Sequence, residues 1–123
     1  EVPVGALLAL PGRDGDWEVL ARDRNRILEL RDPSAHAELL ALRGACRKQG
    51  SERIPGSVLI STLEPCVMCA GALVLARVDK ILFFAPTEGG PGMRDLLRVS
   101  GQFPEPFNHH PVVEQIEELA GRP

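Results

Sequence analysis

The sequence contains no tyrosine, one tryptophan and four phenylalanines among its 123 residues, so Leu, Val, Ile and Ala must build most of the core. An excess of positive charge is also lacking, because 14 basic residues face 17 acidic ones and give a formal net charge of −3. Such a chain lacks the overall positive field that grips phosphate backbones without sequence preference. Any contact with nucleic acid therefore needs a local basic patch, for which the candidates are Arg22, Arg24, Arg26 and Arg31.

Long hydrophobic runs are missing as well. The longest apolar stretches surround VGALLAL and CAGALVLA, and both are far shorter than the roughly 20 residues needed to cross a bilayer. The opening EVPVGALLAL lacks the basic start and the small-residue cleavage site of a secretory signal. We expect a cytoplasmic protein that does not enter a membrane.

Cysteine is scarce and odd in number, with three residues in a chain whose apolar content of 44% suffices for a core. A disulfide framework is therefore not expected. Length and composition predict one globular domain over residues 1–123. Cys46 lies on the apolar face of a predicted helix and is interpreted as a buried, inert thiol, which leaves the other two cysteines for metal or thiol chemistry.

The first half of the chain predicts a hairpin followed by a helix. Residues 2–10 and 17–23 are strand-like and flank the turn-rich PGRDGD. The segment DPSAHAELLALRGACRKQG then shows the apolar spacing of a helix. Asp32 or Ser34 is the expected cap of this helix, and Gly50 is its expected end.

The second half alternates strands with helices. Strands are predicted at 57–63 and 80–85, with a helix at 65–77 between them. A brief helix in MRDLLRV, an edge strand at 112–114 and a short terminal helix are predicted to follow. This order predicts an α/β fold of three layers, α/β/α, around a mixed and roughly five-stranded sheet.

The segment STLEPCVMCAG places Cys66 and Cys69 three apart at a strand-to-helix junction. A step of three residues is about 300° of helical rotation, so both sulfurs point to one side. The positive end of the helix dipole favours their thiolate forms. A redox pair, a structural metal clip and a catalytic metal site all remain open on this motif alone. A structural clip would need two further ligands at similar spacing, and the chain has no second Cys-x-x-Cys.

His36 and Glu38, in the motif HAE, begin the other predicted helix. Residues two apart on a helix normally point about 200° away from each other, but at a helix end one can bind a metal while the other reaches the bound water. His36, Cys66 and Cys69 would then hold zinc with a fourth position open. Because two thiolates neutralise the charge of the ion, the bound water is acidified less than at a site with three neutral ligands. A base is therefore needed, and Glu38 would accept the proton of this water. The redox interpretation leaves HAE without a role.

HAE followed by PCVMC resembles the signature of the zinc nucleobase deaminases. The segments EVPVGA, NR, DPSAHAE, TLEPCVMCAGAL and NHHPVVE resemble, in that order, the bacterial tRNA-specific adenosine deaminases, which make inosine at the anticodon wobble position. The resemblance covers nearly the whole chain. It implies a cytidine deaminase-like fold, one Zn²⁺ per chain and a homodimer.

The same resemblance implies roles for individual residues. Asn25 would hydrogen-bond the flipped base, and Val4 would form part of an apolar wall. The Leu63–Cys66 segment, with Pro65, would bring backbone donors near the attacked carbon, and Asn108 would contact the nucleotide. Hydrolysis at C6 of the purine would release ammonia.

The sequence also departs from the family pattern. The loop APTEGGPG is shorter and less basic than in the tRNA enzymes, and the family helix before EVPVGA and most of the C-terminal helix are expected to be absent. Two alternatives therefore stay open. One is a deaminase of free guanine, cytosine or cytidine. The other is a non-catalytic, zinc-stabilised partner subunit, which the intact Glu38 disfavours.

Overall fold

The fold is centred on one mixed sheet, seen in a computed structural model that describes residues 4–87 and 89–116. Its strands are β1 (Gly5–Pro11), β2 (Trp17–Arg24), β3 (Val58–Leu63), β4 (Lys80–Ala85) and β5 (Val112–Gln115). Their spatial order is β2-β1-β3-β4-β5. β1 runs antiparallel to β2 and β3, whereas β3, β4 and β5 are parallel. The predicted hairpin and the mixed, five-stranded sheet are thereby confirmed.

The described residues also form four helices: α1 (Ile27–Leu30), α2 (Ala37–Gln49), α3 (Val67–Leu75) and α4 (Met93–Ser100). α3 connects the parallel strands β3 and β4, and α4 lies between β4 and β5. Such crossovers place the helix against the face of the sheet. None of the helices in the described part of the chain is both long and apolar enough to span a membrane.

The core lies between the helices and one face of the sheet. Leu8, Leu59 and Ile81 of the strands pack in one buried cluster with Ala41 of α2 and Leu73 of α3. Met93 of α4 belongs to the same cluster. This burial of aliphatic side chains agrees with the composition, in which aromatic residues are few.

The opposite face of the sheet is less covered. Leu7, Ile60 and Leu82 are only partly buried there, and Trp17 is exposed. The predicted short terminal helix lies outside the described residues.

The start of α2 differs from the sequence prediction. Asp32 and Ser34 do not cap it, because Asp32 Oδ1 accepts hydrogen bonds from the backbone N–H and the hydroxyl of Ser34, at 2.9 and 2.7 Å. This local turn takes up both polar side chains. The helix begins at Ala37, with His36 as the N-cap residue in extended conformation. Gly50 ends the helix as predicted, with a positive φ of 65° that glycine adopts without strain.

Candidate metal centre

Three ligand side chains meet where α2 and α3 begin. His36 is the N-cap residue of α2, Cys66 is the N-cap residue of α3, and Cys69 lies in the first turn of α3. Their ligand atoms all lie within 4.8 Å of one another, and Cys66 Sγ is 3.6 Å from His36 Nδ1. Zn–S and Zn–N bonds of about 2.3 and 2.0 Å in a tetrahedron separate ligand atoms by about 3.5–3.8 Å. The donor set and its spacing therefore fit zinc.

The pKa values of the two cysteines shift in opposite directions. A hydrogen bond from the Cys69 thiol, together with backbone N–H groups at the start of α3, lowers the pKa of Cys66 to about 5. The pKa of Cys69 is raised because its proton is held by Cys66 and because the thiol is buried. Cys66 is therefore the first to become a thiolate, and a bound metal would displace the remaining proton.

A small cavity of about 170 Å³ opens beside these ligands. Its wall contains residues from five separate segments of the chain: Val4, Asn25, His36, Glu38, Leu63, Glu64, Cys66 and Thr87. Pockets for drug-sized ligands measure about 300–1,000 Å³. The cavity is thus suited to one base-sized group, and the rest of a nucleotide would stay outside.

Glu38 lines this cavity although it is almost fully buried, with 4% of its surface exposed. Burial raises the pKa of its carboxyl group above the ordinary value, since the charged form loses its hydration. His36 precedes the first helical turn, whereas Glu38 belongs to it. Hence the helical rotation that separates residues two apart does not apply to this pair, and both side chains reach one cavity.

Asn25 fixes the helix that carries His36 and Glu38. The side-chain Oδ1 of Asn25 accepts a hydrogen bond from the backbone N–H of Ala37 at 2.8 Å, and the backbone N–H of Asn25 donates to the carbonyl oxygen of Val4 at 3.1 Å. Asn25 thus takes the capping role that the sequence suggested for Asp32 or Ser34. Because the carbonyl of the amide is engaged, the NH₂ group is the part available to a ligand in the cavity.

Two predicted substrate contacts are not part of this wall. Pro65 is buried, and its carbonyl oxygen accepts the N–H of Met93 at 2.9 Å. Asn108 is exposed and lies in the loop before β5. Neighbouring His109 donates from Nε2 to the carbonyl oxygen of Val78 at 2.7 Å, as expected of a loop histidine. The predicted roles of Pro65 and Asn108 toward substrate stay predictions.

Glu64 was missed by the sequence analysis, although it lines the cavity directly beside the ligand segment. Burial alone would raise the pKa of its carboxyl group, but hydrogen bonds from Arg94 and from the Thr87 backbone outweigh burial, and the pKa lies below its ordinary value. The one sequence feature that could have indicated Glu64 is its position as an acidic residue directly after the apolar strand β3. Its partner Arg94 is 30 residues away in sequence and could not be inferred from spacing.

Comparison with known proteins identifies the family. A family model described as the cytidine and deoxycytidylate deaminase zinc-binding region matches residues 1–85, which is more than half of the chain. The chain belongs to this deaminase family. Zinc is the metal of the family, and His36, Cys66 and Cys69 are positioned to hold it. The predictions of a zinc-dependent deaminase and of a cytidine deaminase-like fold are confirmed.

Relatives of known activity share the family. A tRNA-specific adenosine deaminase of Agrobacterium fabrum is 44% identical over 110 residues, which cover 89% of this chain and 67% of the relative. A solved structure of a tRNA:A34 deaminase, studied for A-to-I editing at the wobble position, is 40% identical with a TM-score of 0.76 and covers 91% of this chain and 76% of its own. A guanine deaminase structure from Nitrosomonas europaea is 26% identical with a TM-score of 0.66, over 91% of this chain and 64% of its own.

Proposed function

We propose that this protein is a hydrolytic deaminase that converts adenosine to inosine at the wobble position of a tRNA anticodon. The observation that carries the proposal is the placement of Glu38 in a base-sized cavity beside His36, Cys66 and Cys69. A proton-transferring carboxyl group next to a zinc ligand set is the arrangement that hydrolytic deamination needs.

The protein residues account for the proton transfers. Zinc, when bound by His36, Cys66 and Cys69, supplies an activated water as the nucleophile. Glu38 would accept a proton from the attacking water as the new C–O bond forms at C6 of adenine. Glu38 then donates the proton to the leaving nitrogen as the C–N bond breaks, and the products are inosine and ammonia. A raised pKa suits this role, because the carboxyl group must hold the proton between the two transfers.

Asn25 would orient the base. Its Oδ1 is occupied by the N–H of Ala37, so its NH₂ group can donate to a ring nitrogen of the purine. Val4 is buried and contributes an apolar part of the same wall. These two residues supply one polar and one apolar contact, which together fix a flat ring in a small cavity.

The choice of a tRNA substrate draws on the similarity to tRNA deaminases, which exceeds the similarity to the guanine deaminase in both identity and TM-score. The charge distribution supports the choice less strongly. Arg24 and Arg26 of the candidate basic patch both form ion pairs with Glu29, at 3.1 and 2.6 Å. These pairs neutralise part of the patch, so the anticodon contacts must come largely from other groups. Deamination of a free base such as guanine is the second candidate.

The assembly and location complete the proposal. We propose a single domain over residues 1–123 in the cytoplasm, and a homodimer, which the family resemblance implies. Light scattering on the zinc-loaded protein tests the dimer, because a monomeric mass at micromolar concentration would contradict it.

The substrate assignment is tested with zinc-loaded protein and a panel of substrates. We expect ammonia release and inosine formation with an anticodon stem-loop that carries adenosine at the wobble position. A stem-loop with guanosine at that position serves as the matched control, and cytidine, cytosine and guanine are assayed beside it. Turnover of a free base or nucleoside alone would reject the tRNA assignment and retain the deaminase.

A further inference from the structure

Glu64 is a buried carboxylate for which the proposed mechanism has no use. Only 4% of its surface is exposed, and charged side chains are rarely buried to this degree unless they are paired. Its Oε2 accepts the backbone N–H of Arg94 at 2.9 Å and Arg94 Nε at 3.1 Å. Its Oε1 accepts Arg94 Nη2 at 3.2 Å and the backbone N–H of Thr87 at 3.4 Å. The carboxylate is thus held by four donors.

These donors come from the two ends of one connecting segment. Thr87 follows β4, and Arg94 lies in the first turn of α4. Glu64 itself precedes Cys66 by two residues. A neighbouring backbone bond, from Met93 N–H to Pro65 O at 2.9 Å, joins the same two parts of the chain. Glu64 therefore ties Thr87 and the start of α4 to the residues between β3 and α3, which include the candidate zinc ligand Cys66.

Arg94 is also held from its other side. Its guanidinium carbon lies 4.9 Å from the ring centre of Phe83, a fully buried residue of β4. A guanidinium over an aromatic face gains a cation–π attraction in addition to its ion pair. The Arg94 side chain is consequently fixed between the sheet and the Glu64 carboxylate.

Gly92 leaves the space that this carboxylate occupies. A Cβ atom at Gly92 would lie 2.6 Å from the carboxyl carbon of Glu64 and 2.7 and 2.8 Å from its oxygens, so the carboxyl group would have to move. At Gly90, in the same loop, a Cβ atom would meet nothing within 4 Å. Gly92 and Gly90 thus differ in the space available for a side chain, because only Gly92 lies against the carboxyl group of Glu64.

The consequence concerns the cavity beside the zinc ligands, because Glu64 and Thr87 both line it. We propose that Glu64 is a positioning residue whose carboxylate, clamped to Arg94 and Thr87 and accommodated by Gly92, holds Thr87 in the wall of the substrate cavity. This inference rests on the proposed function for its effect on catalysis. Its structural part, the clamp, holds independently of the substrate.

The experiment uses zinc-loaded protein and substitutions that spare the ligands. Arg94→Met removes the ion pair from the side chain of the pair that is half exposed. Glu64→Gln and Gly92→Ala perturb the same clamp from its other two sides. The matched controls are Arg98→Met, one turn further along α4 in an exposed pair with Asp95, and Gly90→Ala.

Amide exchange, zinc content and kinetics are measured together. For the three clamp variants we expect faster exchange at the Thr87 amide, one zinc per chain, and a KM raised about tenfold with kcat changed less than about threefold. Arg94→Lys, which keeps the charge but loses the two-point contact, should fall between wild type and Arg94→Met. The two controls should match wild type in all three measurements.

Two results would overturn the proposal. Unchanged exchange at Thr87 would show that no clamp exists. Faster exchange with an unchanged KM would show that the clamp is only structural. If the wild-type protein deaminates none of the substrates, the proposed function fails, and the exchange at Thr87 still decides whether Glu64 holds Thr87.

Discussion

Asn25 and Ala37 are joined by a hydrogen bond of 2.8 Å, from the backbone N–H of Ala37 to Asn25 Oδ1, and this bond fixes the start of the helix that carries both His36 and Glu38. Asn25 thereby supports the start of this helix with its amide oxygen and is also one of the residues that line the cavity. The support that Asn25 gives to the start of α2 and its proposed role toward the base are therefore compatible.

The two halves of this amide can be separated by substitution. Asn25→Asp keeps the oxygen that accepts the Ala37 N–H but loses the donor, so we expect an unchanged melting temperature and kcat/KM reduced about 10- to 100-fold. Asn25→Ala removes both functions and should also cost about 1 kcal/mol of stability, because the helix start loses its acceptor. Equal kcat/KM for wild type and Asn25→Asp would refute a contact between the amide nitrogen and the base.

Glu38 gives a sharper prediction about chemistry. Glu38→Gln and Glu38→Ala should bind one zinc per chain and lose at least about a hundredfold in kcat, since a general acid and base contributes about 10²–10⁴. The matched control is Glu29→Gln, an exposed glutamate whose partners Arg24 and Arg26 lie outside the cavity wall. Retained activity in Glu38→Gln, with zinc content confirmed by elemental analysis, would remove Glu38 from the mechanism.

The cysteines allow a matched test of the metal centre. Cys66→Ser and Cys69→Ser should reduce bound zinc from about one per chain to near zero, because a hydroxyl is a far weaker zinc ligand than a thiolate. Cys46→Ser should leave zinc content unchanged, since Cys46 packs against the core and is not part of the ligand cluster.

Chelation of the wild-type protein tests the same centre reversibly. Removal of zinc should abolish deamination and lower the melting temperature, because the metal joins the starts of two helices and binds the folded state. Added zinc should restore both. Full activity in protein shown to be metal-free would contradict the zinc site, whatever the behaviour of the cysteine variants.

The order of elements could be predicted from the sequence because each strand and helix carries its own apolar pattern. The strand 80–85 and the stop of α2 at Gly50 are examples, and two short motifs predicted the three candidate zinc ligands, whose ligand atoms lie within 4.8 Å of one another. The predicted cap of α2 was wrong because Asp32 and Ser34, two residues of suitable type, form a hydrogen bond with each other instead. The residue that accepts the N–H of Ala37 is Asn25, which lies 12 residues away in sequence. The pair of Glu64 and Arg94 was not predicted for the same reason, because a contact between residues 30 apart leaves no periodic pattern in the sequence.

Two helical glycines provide the last prediction, which concerns stability alone. Gly71 lies within α3, and a Cβ atom there would meet nothing within 4 Å, so Gly71→Ala should stabilise the protein by about 0.5–1 kcal/mol through higher helix propensity. Gly44 lies within α2, where a Cβ atom would approach Ala21 Cβ of β2 to 3.0 Å. The same helix gain in Gly44→Ala should therefore be offset by crowding between α2 and β2. Denaturant unfolding of both variants measures the difference, and a stabilisation of Gly44→Ala equal to that of Gly71→Ala would contradict the close packing of α2 on β2.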